Sequence, residues 1–439
     1  MINFPVMFER MPEQGRPQHV PDAIAHQADD HLVLFEHDGP APRDRRLRFL
    51  LNMAKQLRVG TLEMVMPDGT THRAIASAEP VARIVIKHPR AVTSLATGGT
   101  LGLSEAYLDG LWESPDLRAV MLLATSNERE WEDALYKRRV SGVIAKLLHV
   151  LRPNSKRGAR RNIEDHYDLG NDFYRTWLDR TMTYSSAFFG EDLAAPLEHA
   201  QLQKIHRLCQ LLRLAPGMRV LEIGCGWGGF AEVAARDYGC SVVGLTLSPA
   251  QLEFARARIK AAGLEDRVEL RLQDYRDVDG SFDRIASIEM FEAVGEKYWP
   301  TYFNVIRERL RQNGIAAIQV ITIADRFFDS YRKGADFIQR HVFPGGMLPS
   351  KRLLRSTISK AGLAWGEEHW FGQDYAETLA RWQDTFQTAW PRIVADNAVR
   401  RRPCDARFKR LWEYYLAYCE IGFRSGWTDV GQILIAPNR

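Results

Sequence analysis

The sequence predicts a doubly wound α/β domain preceded by a smaller α+β domain, and three features carry the prediction. From residue 218 onward, strand-like apolar runs alternate with helix-periodic segments, the pattern of a largely parallel sheet covered by crossover helices. The first of these strands lies in VLEIGCGWGGF, residues 220–230, and runs through an acidic residue and a glycine turn into a helix. Upstream, RVGTLEMVMPDGTTHRAI alternates around Pro67-Asp68-Gly69 and reads as a hairpin.

Taken in order, residues 1–44 are polar, contain prolines and are expected to stay loose. Residues 45–135 form the smaller domain: the hairpin, a strand in ARIVIKHP, and helices broken at Gly98-Gly99 within AVTSLATGGTLGLSEAYLDGLW. Residues 136–163 read as a basic amphipathic helix and linker, and 164–439 as the larger domain. Inside it, strand 218–223 leads to helix 228–238. Strand 241–246 leads to helix 249–262, with Ser248 as its cap and Pro249 in its first position. Strands 267–272 and 283–288, helix 297–311 and strand 315–323 follow. Residues 325–347 form an apolar insert with Phe327, Phe328, Tyr331, Phe337 and Phe343. Aromatics so spaced either pack a core or line a tunnel for an apolar chain. Helices near 374–396 and 402–425 and a strand near 430–436 complete the sheet.

A chain of 439 residues holds two domains or more, and 45% hydrophobic residues supply a full core. The five cysteines, Cys209, Cys225, Cys240, Cys404 and Cys419, are scattered without a CxxC pair. That pattern suits a reducing compartment and offers no zinc or disulfide framework, and no metal is expected. No signal pattern opens the chain and no apolar run reaches 18 residues, so the expectation is a cytoplasmic protein that meets a membrane at its surface. The net charge of +4 is uneven: between Asp133 and Glu164 there is no acid, while nine Lys and Arg run from Lys137 to Arg161. Val143, Ile144, Leu147, Leu148 and Leu151 interleave with them at helical spacing. Such a segment lies on an anionic bilayer or stays a solvated linker. Nucleic acid is not expected as a partner, because no recognition motif accompanies the charge.

The glycine turn carries the strongest chemical signal. Gly224, Gly226, Gly228 and Gly229 weaken a helix start, and they make sense where a backbone must approach a nucleotide-like cofactor closely. Gly224, Gly226 and Gly229 also match the dinucleotide pattern GxGxxG, a weak signal alone. A dinucleotide site needs a carboxylate roughly 20 residues on for the ribose. Here CSVVGLTL and SPAQ offer only Thr246 and Gln251 as polar groups, which argues against NAD.

The order GCGWGG, GLTLSPAQ, LQDYRD (272–277) and SIEMFEAVG (287–295) resembles the cyclopropane-fatty-acyl-phospholipid synthase family. EDHYDLGNDFYRTWLDRTMTYSSAFF (164–189), FPGGMLPS (343–350) and FGQDY (371–375) extend the likeness over roughly residues 160–435. The resemblance implies a Rossmann-like class I SAM-dependent methyltransferase sheet with a helical lipid-binding insert, plus an N-terminal α+β accessory domain. It implies S-adenosylmethionine (SAM) as cofactor and an unsaturated phospholipid in the bilayer as substrate; a homodimer is compatible with it. Val220, Glu222, Gly224, Gly226 and Gly228 would form the turn against the methionyl part. Thr246 and Gln251 would face the ribose, Asp274 and Tyr275 the adenine, and Tyr184 and Ser185 would close from the N-terminal side. His166 and Tyr167 would fix the covering segment.

Methyl transfer to an isolated alkene gives a carbocation, and a base must then take a proton from the new methyl for a cyclopropane to close. The resemblance implies bound bicarbonate as that base, held by a Cys, a Glu, a His and a Tyr. Glu292 and Tyr375 match that set. Ser186 stands at the usual Cys and Ile321 at the usual His, with Gln319 on the same face of its strand. Ser186 and Gln319 can donate to an anion, but Gln319 cannot titrate. The product is therefore open between cyclopropane, a methylene or methyl branch, and a hydroxyl. Glu289, three residues before Glu292, reads as a helix or strand-end charge rather than a second base. Cys419 in YCEIGFR matches a proposed family nucleophile, although a carbocation needs no thiolate. Two other classes compete: an NAD(P) oxidoreductase, and a non-catalytic lipid binder on the same fold.

Overall fold

The computed structural model describes residues 33–131, 169–396 and 403–438. The chain separates into two compact units, one within residues 1–140 and one within 141–439. The basic segment and the pair His166 and Tyr167 lie outside the described residues.

The first unit contains β1 (Leu34–His37), α1 (Arg45–Ala54), β2 (Thr61–Val65), β3 (Thr71–Ile75), β4 (Val81–Ile86), α2 (Arg90–Leu108), β5 (Trp112–Glu113) and α3 (Leu117–Ser126). Its sheet runs β1-β3-β2-β4-β5. The predicted hairpin is β2 and β3, paired antiparallel with Val65 opposite Thr71. Asp68 accepts from the Thr70 N–H and hydroxyl at the turn, a local geometry that short acidic side chains favour. The predicted break in the helix falls within α2, at Gly99 with φ 61°. One expectation needs correction. Residues 34–37 are not loose but form an edge strand on β3, with Leu34 opposite Ile75. Three of the four are exposed, so their sequence carries no alternating apolar signal.

The second unit contains α4 (Asn171–Trp177), α5 (Leu197–Leu211), β6 (Arg219–Ile223), α6 (Gly229–Arg236), β7 (Ser241–Thr246), α7 (Pro249–Ala261), β8 (Val268–Leu272), β9 (Phe282–Ile288), α8 (Trp299–Arg309) and β10 (Leu310–Ile323). It continues with α9 (Asp325–Tyr331), α10 (Phe337–His341), α11 (Lys351–Lys360), β11 (Leu363–Trp370), α12 (Gly372–Ala395), α13 (Ala406–Arg424) and β12 (Thr428–Pro437). The sheet order is β11-β12-β10-β9-β6-β7-β8. The pairings from β8 to β10 are parallel, while β12 runs antiparallel between β10 and β11. Val220, Leu221 and Ile223 of β6 are buried, as a strand covered on both faces requires. Ser248 caps α7 as expected, its hydroxyl accepting from the Gln251 N–H behind Pro249.

The expected sheet lacked β11. Its sequence LAWGEEHW places adjacent acids at an edge, half-exposed and paired only to β12, so neither an apolar run nor clean alternation marks it. The order of strands reverses between β6 and β9, and the crevice at the carboxyl ends of those two strands is where open α/β sheets hold ligands.

Candidate active site

At the end of β6, Gly224, Gly226 and Gly228 all take left-handed backbone angles, with φ of 87°, 51° and 84°. A β-carbon on Gly224 would lie 2.8 Å from Met290 Cγ, so that glycine lets the neighbouring strand end close in. A β-carbon on Gly226 would meet nothing within 4 Å, which leaves an open approach to the backbone at the mouth of α6. Glu222 is buried just beneath the turn, with Oε2 unpartnered among the described residues. Burial pushes its carboxyl up to about 8, against the pull of the Lys204 cation. At the end of β7, Thr246 donates to Gln251 Oε1 at 3.0 Å, so the two expected ribose groups already face each other. At the end of β8, both carboxylate oxygens of Asp274 are bonded to Arg276, and a bond to an adenine amine would have to share them. Tyr275 is buried, and its hydroxyl has no partner among the described residues.

The segment between α4 and α5 lies over these turns. Asn171 accepts from Trp227 Nε1 in the glycine turn at 2.8 Å and donates to the Ala250 carbonyl at 2.8 Å. Arg258 bonds the carbonyls of both Trp227 and Thr181. Tyr184 donates to the Tyr415 hydroxyl and packs its ring on Tyr174, Trp177 and Trp382. Ser185 accepts at Oγ from Lys204 Nζ at 2.5 Å. Lys204 is wholly buried on α5, and desolvation brings its ammonium down to about 8 despite Glu289, Asp179 and Glu222 nearby. Sequence reasoning missed Lys204. The signal was present: Ala200, Lys204 and Leu208 share the buried face of α5, and a lysine on an apolar stripe calls for a counter-charge.

The residues expected to hold an anion do come together, but around a side chain. Glu289 follows β9 with φ 48° and is fixed by its N–H to the Gln319 carbonyl at 2.8 Å. Its Oε1 accepts from the Ser186 N–H at 2.9 Å and from Gln319 Nε2 at 2.8 Å. Its Oε2 accepts from the Tyr375 hydroxyl at 2.7 Å. Three corrections follow. Glu289 is the centre of the cluster and not a peripheral charge. The Ser186 hydroxyl donates to the Ala187 carbonyl, so the backbone N–H makes the expected contact instead. Gln319 donates as expected, but to Glu289, while Gln432 holds its Oε1 at 3.1 Å.

Glu292 is built differently. Its Oε1 accepts from the Ile321 N–H at 2.5 Å, while Oε2 is buried and has no partner among the described residues. Burial, then the charge of Glu289, push its carboxyl up to about 8, which favours its protonated form near neutrality. Glu289 is also raised by burial, with Lys204, Tyr375, Ser186 and Gln319 all opposing the rise. Ile288, Glu289, Met290, Glu292 and Ile321, at the ends of β9 and β10, are each only partly buried.

The FGQDY turn packs beside this cluster, with the Tyr375 hydroxyl bonded to Glu289. Gly372 packs so closely that a β-carbon would lie 2.6 Å from Asp429 Oδ1. Asp374 accepts from the Phe189 and Gly190 N–H groups, and Thr378 from that of Ala187, which clamps 187–190 onto α12. The insert meets the cluster through the Met347 N–H, which donates to the Glu292 carbonyl at 2.8 Å. Phe327, Phe328, Tyr331 and Phe337 are buried, with the Phe337 ring tilted against that of Tyr414 and their centroids 4.6 Å apart. Cys419 lies on α13 with its thiol raised well above the ordinary range by burial and by Asp336, the opposite of what a nucleophile needs.

Residues 154–433 match the family described as mycolic acid cyclopropane synthetase. The chain is 38% identical over 391 residues to the tuberculostearic acid methyltransferase UfaA1 of Mycobacterium tuberculosis, covering 84% of this chain and 86% of that protein. It is 38% identical over 391 residues to the cyclopropane-fatty-acyl-phospholipid synthase of Escherichia coli K12, covering 85% and 95%. The crystal structure of mycolic acid cyclopropane synthase CmaA1 complexed with SAH and CTAB is similar, with a TM-score of 0.58 at 30% identity over 65% of this chain and 99% of that one. Coclaurine N-methyltransferase bound to SAH, at 17% identity and a TM-score of 0.56, shares the fold.

Proposed function

The chain belongs to the mycolic acid cyclopropane synthetase family, and from that membership we infer that it is a SAM-dependent enzyme that converts the double bond of an unsaturated phospholipid acyl chain into a cyclopropane. The observation that supports this reading most is the meeting, at the switch point of the sheet, of an open glycine turn with a pair of adjacent, largely buried carboxyls. When bound, SAM supplies an electrophilic methyl on a sulfonium centre. The chain's residues fit it: the Gly226 backbone is approachable, and the unpartnered Glu222 Oε2 lies directly beneath the turn. Thr246 and Gln251 would hold the ribose, and Tyr275 would flank the adenine. The Asn171 and Arg258 bonds would keep the covering segment closed and water out.

The acyl chain would enter beside the aromatic insert, which would hold the alkene in line with the methyl. Among the described residues no helix is long and apolar enough to cross a membrane. We propose that the chain reaches its lipid from the bilayer surface, through the basic residues between Lys137 and Arg161. The test is incubation with SAM and vesicles of monounsaturated phospholipid, with SAH formation and lipid mass spectrometry as readouts. The expected result is a gain of one methylene whose fragmentation shows a ring. A gain at a branched carbon would retain methyl transfer and overturn ring closure. No SAH from any unsaturated phospholipid would overturn the reading altogether.

A further inference from the structure

We propose that the Glu289 carboxylate is the base of this enzyme, so that the proton from the transferred methyl goes to a side chain of the protein and not to a dissolved anion. The proposal rests on the cyclopropane-forming reading above and assigns its proton acceptor. Four observations carry it. The carboxylate is held by donors from three separate segments, Ser186, Gln319 and Tyr375, which fixes both oxygens in place. A carboxylate has roughly four acceptor directions, and among the described residues three are filled, two on Oε1 and one on Oε2, which leaves Oε2 with capacity for a proton. The residue occupies a left-handed conformation that side chains avoid, and strain of this kind is kept where the surroundings over-determine it. It stands next to Met290, whose side chain abuts Gly224, so it is beside the turn where the methyl donor would bind.

The division of labour with Glu292 follows from their partners. Glu292 has one bonded oxygen and one buried, unpartnered oxygen, the arrangement of a group that keeps its proton. Glu289 has three donors, and these, with the Lys204 cation nearby, favour its charged form against the burial that raises it. In the reaction, the C–S bond to the sulfonium breaks and a C–C bond to the alkene forms, leaving SAH and a lipid carbocation. Glu289 Oε2 then takes a proton from the transferred carbon, and the C–H electron pair closes the ring. The proton leaves to solvent after product departs, so alkene and SAM become cyclopropane, SAH and a proton.

The experiment uses the full chain with SAM and unsaturated phospholipid vesicles, in buffer freed of carbon dioxide. SAH and ring product should form at the same rate before and after bicarbonate is added back. Glu289→Gln should lower turnover by at least about 100-fold, the usual scale for loss of a positioned base, with SAM affinity by calorimetry unchanged. Glu289→Gly, which suits the left-handed backbone and opens the space, should be equally slow and should recover part of its rate on addition of bicarbonate or formate. A wild-type rate that collapses without carbon dioxide and returns with bicarbonate overturns the assignment, and that arm decides even if a variant fails to fold. Full turnover of Glu289→Gln also overturns it. SAH that forms only with bicarbonate sinks this inference alone, whereas absence of SAH under every condition sinks the functional reading and the inference together.

Discussion

The two strand ends that meet at the switch point are built by opposite means. At the end of β6 the chain removes side chains, and three glycines in left-handed conformations expose backbone to a ligand. At the end of β9 it crowds side chains in, with Glu289, Met290, Phe291 and Glu292 in succession, the first of them strained. The first site is local. The second draws partners from 103, 30 and 86 residues away. Binding therefore rests on backbone shape, which tolerates little change in volume. Chemistry rests on protonation, which a near-isosteric substitution can remove without altering shape.

Gly226→Val breaks that comparison most severely. It fills open space at a positive φ, so SAM binding should fall below detection by calorimetry while circular dichroism keeps its wild-type form. Binding of NADH but not SAM by the wild type would overturn the cofactor assignment. The carboxyl pair gives the next effect. Glu292→Gln preserves an acceptor for the Ile321 N–H and replaces a group that is already neutral near pH 7, so turnover should fall less than about tenfold, well short of Glu289→Gln. The reverse order of the two losses would move the base to Glu292.

Stability sharpens the comparison by pH. Glu292 and Glu222 have folded values of about 8 against an ordinary 4.5. Folding thus favours their protonated forms, and the stability this contributes is complete below 4.5 and lost as pH rises through about 8. Lys204 acts oppositely: its value of about 8 lies below an ordinary 10.5, so its contribution is present above 10.5 and lost as pH falls through 8. Thermal unfolding of Glu292→Gln should lose less between pH 6 and pH 9 than the wild type. Equal losses would mean that Glu292 is not the proton-bearing partner. The smallest effect lies far from both strand ends. Neutralising Arg157, Arg160 and Arg161 should weaken flotation with anionic vesicles by roughly 1 kcal/mol per charge, and less at high salt. Unchanged flotation would return the segment to a solvated linker.

Legibility in the sequence tracks this contrast between local and assembled. The hairpin at Asp68, the Gly99 break and the Ser248-Pro249 helix start each depend on a few adjacent residues, and each was readable. So was the glycine turn, together with the family that its motifs resemble. Glu289 was misjudged because its meaning depends on Ser186, Gln319 and Tyr375, which only folding brings near. Ser186 shows a subtler failure: residue type suggested a hydroxyl donor, and the contact is made by its backbone, which every residue has. Lys204 was missed although the period of α5 displays it on the buried face. β11 was missed because an edge strand need not look apolar.

At φ 48°, residue 289 is a place where glycine would sit without strain. Codons for glutamate and glycine differ by a single nucleotide. A lineage selected only for a well-folded protein has a short mutational path to glycine here, and glutamate survives on that path only if it earns its keep in turnover. One point mutation would thus convert an enzyme whose base is inherited with the gene into one whose base must be found in the surrounding medium.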